Sequence, residues 1–168
     1  KIAIIHDWLT VRGGAERVLE RLLYLYPSAD LFCLFGNQKI ILEPVNKNRI
    51  FKTSFLQNIP YFHKLYRYCA LAMPTAVESI NLKSYDLIIS SSWAFAHGIK
   101  RDKNTKHVAY VHSPMRWAWD MEDEYLSRSR IPKVAISNVR KQLSFLRKWD
   151  FKAAQNADVI ISNSKFVK

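Results

Sequence analysis

Short apolar runs that alternate with helix-forming segments constrain the fold of this chain more than any other feature. Such runs occupy residues 2–5, 31–35, 86–90, 107–112 and 158–162, and several are rich in valine and isoleucine. Continuous apolar runs of this length are typical of strands buried on both faces of a parallel sheet. Parallel strands need crossover connections, so the pattern predicts an α/β fold.

The first run opens a strand–turn–helix–strand unit. Gly13 and Gly14 follow it after a polar loop, and residues 15–26 carry apolar side chains with helical periodicity. We therefore expect residues 1–168 to form one domain, a Rossmann-like three-layer α/β/α sandwich with a mostly parallel sheet. Ligands of such folds bind at the carboxyl ends of the strands. Further helices are predicted at residues 60–73, 76–82 and 139–157, a short strand within 49–56, and a loop with a crossover at 94–106.

Composition excludes several classes of protein. Apolar residues make up 49% of the chain, which is too many for a disordered protein. No segment approaches the roughly 20 continuous apolar residues of a membrane span, and we expect no secretory signal. Cys33 and Cys69 are interpreted as free thiols of a cytoplasmic protein. The histidines show no metal-binding spacing, so we expect no metal.

The net charge of +12 points to an anionic partner. Segment 49–73 mixes basic and aromatic residues, a composition that suits the interface of an anionic membrane. Lys52, Lys64 and Arg67 are the candidate membrane-facing residues. The same mixture suits single-stranded nucleic acid, although we expect no nucleic-acid partner. An ordinary helix with an aromatic core face and a solvated basic face is the other interpretation.

Gly13 and Gly14 form the first candidate binding site. Adjacent glycines allow positive φ and a close approach of the backbone, and the helix that follows offers free N–H groups to an anion. These features suit a phosphate. The alternative is that the glycines only make a tight turn, because the sequence matches neither a GxGxxG nor a Walker pattern.

The second candidate site follows the run at residues 107–112. His112 ends a predicted buried strand and should point into the ligand crevice, where it can bond a sugar hydroxyl or a phosphate or stabilise developing charge. Arg116 can pair with a phosphate, and Trp117 can stack on a sugar ring. A satisfied structural histidine and a buried tryptophan are the alternatives. Asp120 belongs to an acidic cluster that could bind a cation, but a helix start is the preferred interpretation.

Three segments together resemble a known family. The opening KIAIIHDWLTVRGGAERVLERL, the central YVHSPMRWAWD and the late WDFKAAQNADVIISNS are similar to the corresponding parts of the group 1 (family 4-like) retaining glycosyltransferases of the GT-B fold. The central segment resembles the version common in mannosyltransferase-like enzymes of surface polysaccharide and lipopolysaccharide assembly. Residues 39–82 match least, as expected where acceptors differ.

The resemblance implies an activity and roles for particular residues. The family moves a sugar from a nucleotide-sugar to an acceptor with retention of configuration, with the nucleotide-sugar as co-substrate and without a cofactor or metal. Gly13 and Gly14 would lie against the donor diphosphate, and His112 would contact the transferred sugar as the catalytic candidate. Arg116, Asp120 and Trp117 would shape the acceptor side.

The resemblance also implies a division of labour between two domains. This chain would be the N-terminal, acceptor-side domain, without the C-terminal donor-binding domain that carries the family's E-x7-E motif, and it would be inactive alone. Many members use lipid-linked acceptors, so we expect a peripheral location at the inner face of the plasma membrane. The competing hypothesis is a non-catalytic basic module that binds anionic lipid or nucleic acid. A nucleotide-sugar epimerase is a weaker option, because its acidic and histidine set is not recognisable here. The transferase hypothesis requires Gly13, Gly14 and His112 to converge on one cleft.

Overall fold

The computed structural model describes residues 1–41, 49–128, 131–165 and 167. Its strands are β1 (Ile2–Leu9), β2 (Asp30–Gly36), β3 (Phe51–Thr53), β4 (Leu87–Ser92), β5 (Lys106–Val111) and β6 (Val159–Ser162). Its helices are α1 (Gly14–Leu25), α2 (Phe62–Leu65), α3 (Met73–Glu78), α4 (Glu122–Arg128) and α5 (Lys133–Ala154). Short 3-10 segments lie between them at Gln38–Ile40, Phe55–Asn58, Tyr66–Tyr68, Ala70–Ala72 and Ala96–Gly98.

The six strands form one sheet in the order β3-β2-β1-β4-β5-β6. Every neighbouring pair is parallel, so the predicted Rossmann-like three-layer fold is confirmed. The order reverses direction between β1 and β4. In sheets of this type the crevice at such a switch point, outside the carboxyl ends of the strands, is where ligands bind.

Two apolar layers cover the sheet. On one face α1 packs Leu19 and Leu23, four residues apart on the same side of the helix, against strand residues such as Ile4 and Leu31. On the other face the core includes Val77 of α3 together with leucines of α5. All four of these α1 and strand side chains are fully buried. Burial of each leucine or isoleucine contributes about 1.5–3 kcal/mol, which makes the sheet a rigid platform for whatever its strand ends carry.

Arg49 has a structural position at the end of α1. Its guanidinium donates hydrogen bonds to the carbonyl of Leu23 at 3.0 Å, to that of Tyr26 at 3.2 Å and to that of Ala29. The last carbonyls of a helix have no hydrogen-bond donor within the helix, and here the Arg49 guanidinium supplies the donors. Burial lowers the pKa of Arg49, against the charge of Asp30. Arg49 is therefore separate from the basic residues that face solvent in segment 49–73.

The predicted helix at residues 60–73 is wrong. Tyr61 has a left-handed backbone, with φ of 57°, and the chain then forms α2 and two 3-10 turns before α3 begins at Met73. Aromatic side chains lose rotamer freedom in a helix. Here the rings of Phe62 and Tyr66 both pack on Phe35, with centroids 5.0 and 5.4 Å away. Tertiary packing of the rings therefore replaces a regular helix.

Other boundaries also differ from expectation. β1 continues through Leu9, four residues beyond the predicted strand at 2–5, and α5 begins at Lys133 rather than at residue 139. The helix expected at 76–82 lies earlier, as α3, with Pro74 in its first turn. The loop expected at 94–106 contains the 3-10 segment Ala96–Gly98. No helix in the described ranges has the length and apolar character that crossing a bilayer requires.

The segment Ala96–Gly98 is fastened to α5. Ser92 Oγ lies 2.9 Å from Nδ1 of His97, and Nε2 of His97 lies 3.0 Å from Oδ1 of Asp150. The ring of Trp149 packs so closely on Gly98 that a Cβ there would overlap it. These contacts fix the segment that follows β4 against the long helix.

Candidate functional site

Three strands bring the candidate site residues to one edge of the sheet. His6 of β1 is in register with Ser91 of β4, and Ser91 with Tyr110 of β5. His112 follows β5 directly, and its backbone N–H donates to the carbonyl of Ser92 at 2.8 Å. His112 is thereby held beside the end of β4, as expected for a residue at the carboxyl edge.

A row of hydrogen bonds joins the glycine loop to His112. Nε2 of His112 lies 2.9 Å from Ser91 Oγ, which lies 3.1 Å from Nδ1 of His6. Nε2 of His6 lies 3.4 Å from Oε1 of Glu16, and Oε2 of Glu16 accepts from the Gly13 N–H at 2.7 Å. We call these five residues, Gly13, Glu16, His6, Ser91 and His112, the polar row. Gly13 and His112 thus belong to one connected structure.

The polar row is buried at its centre and partly exposed to solvent at His112. His6 and Ser91 are fully buried and Glu16 is 6% exposed, whereas His112 is partly exposed. Buried polar groups are costly without partners, and each of these has one. Nδ1 of His112 makes no hydrogen bond within the described part of the chain. It is also not one of the atoms there that are both buried from solvent and without a hydrogen-bond partner, so solvent can reach it. That nitrogen is available to a ligand.

The surroundings of Glu16 and His112 shift the pKa values of both side chains. Burial alone would raise the pKa of Glu16, but the hydrogen bonds from His6 and from backbone N–H groups, including that of Gly13, hold it below its usual value. Burial lowers the pKa of His112, and the neighbouring His6 lowers it further, against Asp7 and Glu16. At neutral pH, Glu16 is therefore a carboxylate and His112 a neutral imidazole.

Gly13 and Gly14 stand at the N-terminus of α1. Gly13 caps the helix with φ of −117°, Gly14 begins it, and neither has positive φ. The side chain of Glu16 supplies one half of a capping box by accepting from Gly13. A Cβ at Gly14 would meet no atom within 4 Å, and one at Gly13 would lie 3.1 Å from Glu16 Oε2. The space at Gly14 lets a ligand approach the backbone, while the turn itself does not need positive φ.

The predicted acceptor-side residues lie in the turns after His112. Arg116 and Asp120 are exposed, and their side chains make no hydrogen bond to the polar row within the described residues. Trp117 is partly buried, with its ring centroid 6.3 Å from that of Phe95, and it packs against the core. Trp119 is more open, at 39% exposure, and its indole N–H donates to Asp150. The structure therefore places Arg116 and Asp120 toward solvent and Trp117 toward the core.

The predicted membrane-facing residues lie among exposed aromatic and aliphatic side chains. Lys52, Lys64 and Arg67 are all exposed, and so are Tyr61, at 70%, and Tyr68, at 86%. Several neighbours are also at least two-fifths exposed, namely Phe55, Ile59, Leu65 and Leu71. We call this surface, which comprises Lys52 and the exposed residues of 55–71, the basic aromatic surface. Leu56 and Phe62 of the same segment are buried and do not belong to this surface.

Asp7 occupies the space beside the polar row but is not free to react. Its two carboxylate oxygens accept hydrogen bonds from the successive N–H groups of Trp93, Ala94, Phe95 and Ala96. The side chain is fully buried. Asp7 therefore fixes the segment that leaves β4, the strand that carries Ser91.

No family model, curated protein or solved structure matches this chain. Within the described ranges no group of three or more His, Cys, Asp and Glu side chains could hold a metal ion.

Sequence reasoning missed four of the residues that build the site. His6, Asp7, Glu16 and Ser91 received no role. The first strand was expected to end at residue 5, before His6 and Asp7, and Ser91 lay beyond the predicted strand at 86–90. Glu16 was assigned only to the first predicted helix. One signal was present in the sequence. Polar residues that follow an apolar strand without a turn residue, as in HDW at 6–8 and SSS at 90–92, continue the strand into the carboxyl edge.

Proposed function

We propose that this chain is the acceptor-side, N-terminal half of a retaining glycosyltransferase that moves a sugar from a nucleotide-sugar to a lipid-linked or polysaccharide acceptor. One observation carries the proposal: Gly13, at the N-terminus of α1, and His112, after β5, are joined by the polar row at the switch point of the sheet. The transferase hypothesis requires Gly13, Gly14 and His112 to converge on one cleft, and the row supports it by linking Gly13 to His112 at the carboxyl edge of the sheet. A basic binding module would tolerate any residue at position 112.

The chemistry of the two ends fits a sugar diphosphate. The start of α1 offers N–H groups, a positive dipole end and open space at Gly14. His112 offers a neutral imidazole with one free nitrogen, which can bind a sugar hydroxyl near the bond that breaks. Mannose as the transferred sugar rests on the resemblance of the YVHSPMRWAWD segment.

The basic aromatic surface supports an acceptor that sits in a membrane. Exposed tyrosines and aliphatic side chains can enter the headgroup region, while Lys52, Lys64 and Arg67 meet anionic headgroups. This surface includes residues of the segment that follows β3, where the proposed enzyme's acceptor specificity would reside. We propose that the protein works at the inner face of the plasma membrane.

The test is a transfer assay on the protein expressed from the full open reading frame that contains this chain. Radiolabelled GDP-mannose and UDP-glucose are the donor probes, and a bacterial membrane lipid extract is the acceptor. We expect label to enter the lipid or glycan fraction, and His112→Ala to lower the rate by at least about 100-fold, as for loss of a group that stabilises developing charge. Asn104→Ala, at an exposed position before β5 that lies outside both the polar row and the basic aromatic surface, is the control and should keep full activity.

Two results would contradict the proposal. The first is full activity of a folded His112→Ala variant, which would remove the histidine from the reaction centre. The second is the absence of transfer from every donor tested, combined with tight binding of the protein to anionic vesicles. That combination would favour the non-catalytic membrane module.

A further inference from the structure

The polar row limits where its hydrogens can lie, because each member can donate or accept only in certain ways. Oε1 of Glu16 belongs to a carboxylate whose pKa lies below its usual value, so it can only accept. The group that faces it is Nε2 of His6. Nε2 of His6 must therefore carry a hydrogen.

The next step passes through Ser91. A neutral imidazole has one N–H, so with Nε2 protonated the Nδ1 atom of His6 is an acceptor. Ser91 Oγ, 3.1 Å away, must then donate its single hydrogen to His6. Ser91 Oγ also lies 2.9 Å from Nε2 of His112, and because its only hydrogen is already used, it can only accept there. Nε2 of His112 must supply the hydrogen of that bond.

We propose that Glu16, acting through His6 and Ser91, fixes His112 as the tautomer protonated at Nε2, so that its free Nδ1 accepts a hydrogen bond from a ligand hydroxyl. His6, Ser91 and Glu16 are positioning residues in this scheme, since only His112 reaches the open side of the row. The assignment of a sugar hydroxyl as the ligand group rests on the proposed function, whereas the tautomer does not. An unprotonated nitrogen cannot donate to a phosphate, so the scheme separates the roles of the two ends: the helix start binds phosphate, and His112 selects a hydroxyl.

A second proton on His6 would permit two other arrangements of hydrogens. Nδ1 of His6 would donate to Ser91 in both, and Ser91 Oγ would then either donate to Nε2 of His112 or accept from it as well. The contact between His6 and Glu16 argues against both. It is 3.4 Å long, whereas the N⁺–H···O⁻ bond of a cationic imidazole to a carboxylate is typically about 2.7–2.9 Å.

The side chain of Glu16 offers a way to reverse the row. In Glu16→Gln, the amide oxygen is expected to keep the 2.7 Å bond from the Gly13 N–H, which places the amide NH2 group against Nε2 of His6. Because the amide NH2 group donates, Nε2 of His6 becomes an acceptor and Nδ1 of His6 carries the hydrogen. Nδ1 of His6 then donates to Ser91, and Ser91 donates to Nε2 of His112. His112 should become the Nδ1-protonated tautomer, which donates where the parent protein accepts.

The experiment is nitrogen NMR of the 168-residue chain with 15N-labelled histidine at neutral pH. Two-bond proton–nitrogen correlations distinguish a protonated from a bare ring nitrogen, and His112→Gln assigns the His112 signals. We expect the parent His112 to be protonated at Nε2 and Glu16→Gln to be protonated at Nδ1. Glu20→Gln is the matched control on the same helix, since Glu20 pairs with Arg12 outside the row, and it should leave His112 as in the parent.

Ser91→Ala supplies an independent arm. With the hydroxyl removed, His112 should show a mixture of tautomers, and adding Glu16→Gln to Ser91→Ala should produce no further change. A parent His112 protonated at Nδ1 would overturn the proposal, and so would a folded Glu16→Gln protein with an unaltered His112. If Glu16→Gln fails to fold, the parent spectrum and the Ser91→Ala spectrum still show whether the row fixes the tautomer of His112. Loss of the proposed function would appear separately, as the expected tautomer in a full-length protein that transfers no sugar.

Discussion

The carboxylate of Asp7 accepts a hydrogen bond of 2.7 Å from the backbone N–H of Trp93, 86 residues further along the chain. The same carboxylate accepts from Ala94, Phe95 and Ala96 at 2.6–3.0 Å. A buried carboxylate that receives four N–H groups fills an anion-binding turn of the protein's own backbone. This arrangement joins the end of β1 to the segment after β4.

Asp7→Asn should therefore destabilise the fold without removing any apolar contact. The amide NH2 group would face backbone donors, and hydrogen bonds to charged groups are worth about 1.5–3 kcal/mol each. We expect a loss of about 3 kcal/mol or more, which corresponds to roughly 6–12 °C in the melting temperature of a domain of this size. Thermal unfolding followed by circular dichroism measures it. Asp102→Asn, at an exposed position, is the control, and an equal shift in both variants would contradict a special role for Asp7.

His107 makes the stability of the domain depend on pH. Burial, assisted by the charge of Arg101, lowers the pKa of His107 from 6.5 to about 4. The unfolded chain binds a proton at this histidine at higher pH than the folded chain does. The stabilisation is therefore complete above pH 6.5 and is lost as the pH falls from 6.5 toward 4. The full loss amounts to about 3 kcal/mol.

Urea unfolding at a series of pH values from 7 to 5 tests this dependence. His107→Gln can still bond Ser90, which lies 2.8 Å from Nε2 of His107, but it cannot titrate. We expect it to flatten the fall in unfolding free energy by about 2 kcal/mol between pH 6.5 and 5. Part of the slope should persist, because His112 also has a lowered pKa. An unchanged slope in His107→Gln would contradict the assignment.

Gly14 can separate a binding role from a structural one. A Cβ there meets nothing within 4 Å, so Gly14→Ala should leave stability unchanged or raise it by up to about 1 kcal/mol. If phosphate approaches the backbone at this point, the variant should raise the KM for the nucleotide-sugar in the full-length transfer assay. Gly98→Ala is the contrasting variant, since its Cβ would overlap Trp149 and should cost about 1–3 kcal/mol. An unaltered KM in Gly14→Ala would indicate that the glycines only make a tight turn and do not bind phosphate.

The basic aromatic surface predicts binding to anionic vesicles. The triple variant Lys52→Glu, Lys64→Glu, Arg67→Glu should lose co-sedimentation with vesicles that contain anionic lipid, because each basic residue near the surface contributes about 1 kcal/mol. A control of equal charge change is Lys133→Glu, Lys141→Glu, Lys148→Glu on the exposed side of α5. That control should retain more of the parent protein's binding to anionic vesicles than the first triple variant does. Equal loss in both triples would indicate a general effect of net charge, and equal pelleting with neutral vesicles would argue against a basic docking face.

The sheet could be predicted from the sequence, while the connections inside the site could not. Strand positions follow from apolar runs such as residues 2–5, because a strand buried on both faces carries apolar residues at consecutive positions. The pairing of His6 with Ser91 and His112 depends on the register of three strands that are distant in sequence, and no local pattern encodes it. The helix expected at 60–73 failed for a related reason. The aromatic side chains Phe62 and Tyr66 pack on Phe35 of β2, and this long-range contact outweighs local helical periodicity.

The contacts that fasten His97 also bear on how enzymes are recognised from geometry. A hydroxyl, an imidazole and a carboxylate, those of Ser92, His97 and Asp150, stand in the arrangement by which serine hydrolases activate their nucleophile, with the ring turned so that Nδ1 faces the serine. Ser92 is only 1% exposed, so no acyl group can reach its oxygen. A template search on these three side chains alone would assign a hydrolase to this domain, whereas the triad holds a helix to a sheet. Access of the nucleophile to substrate has to be part of any such template.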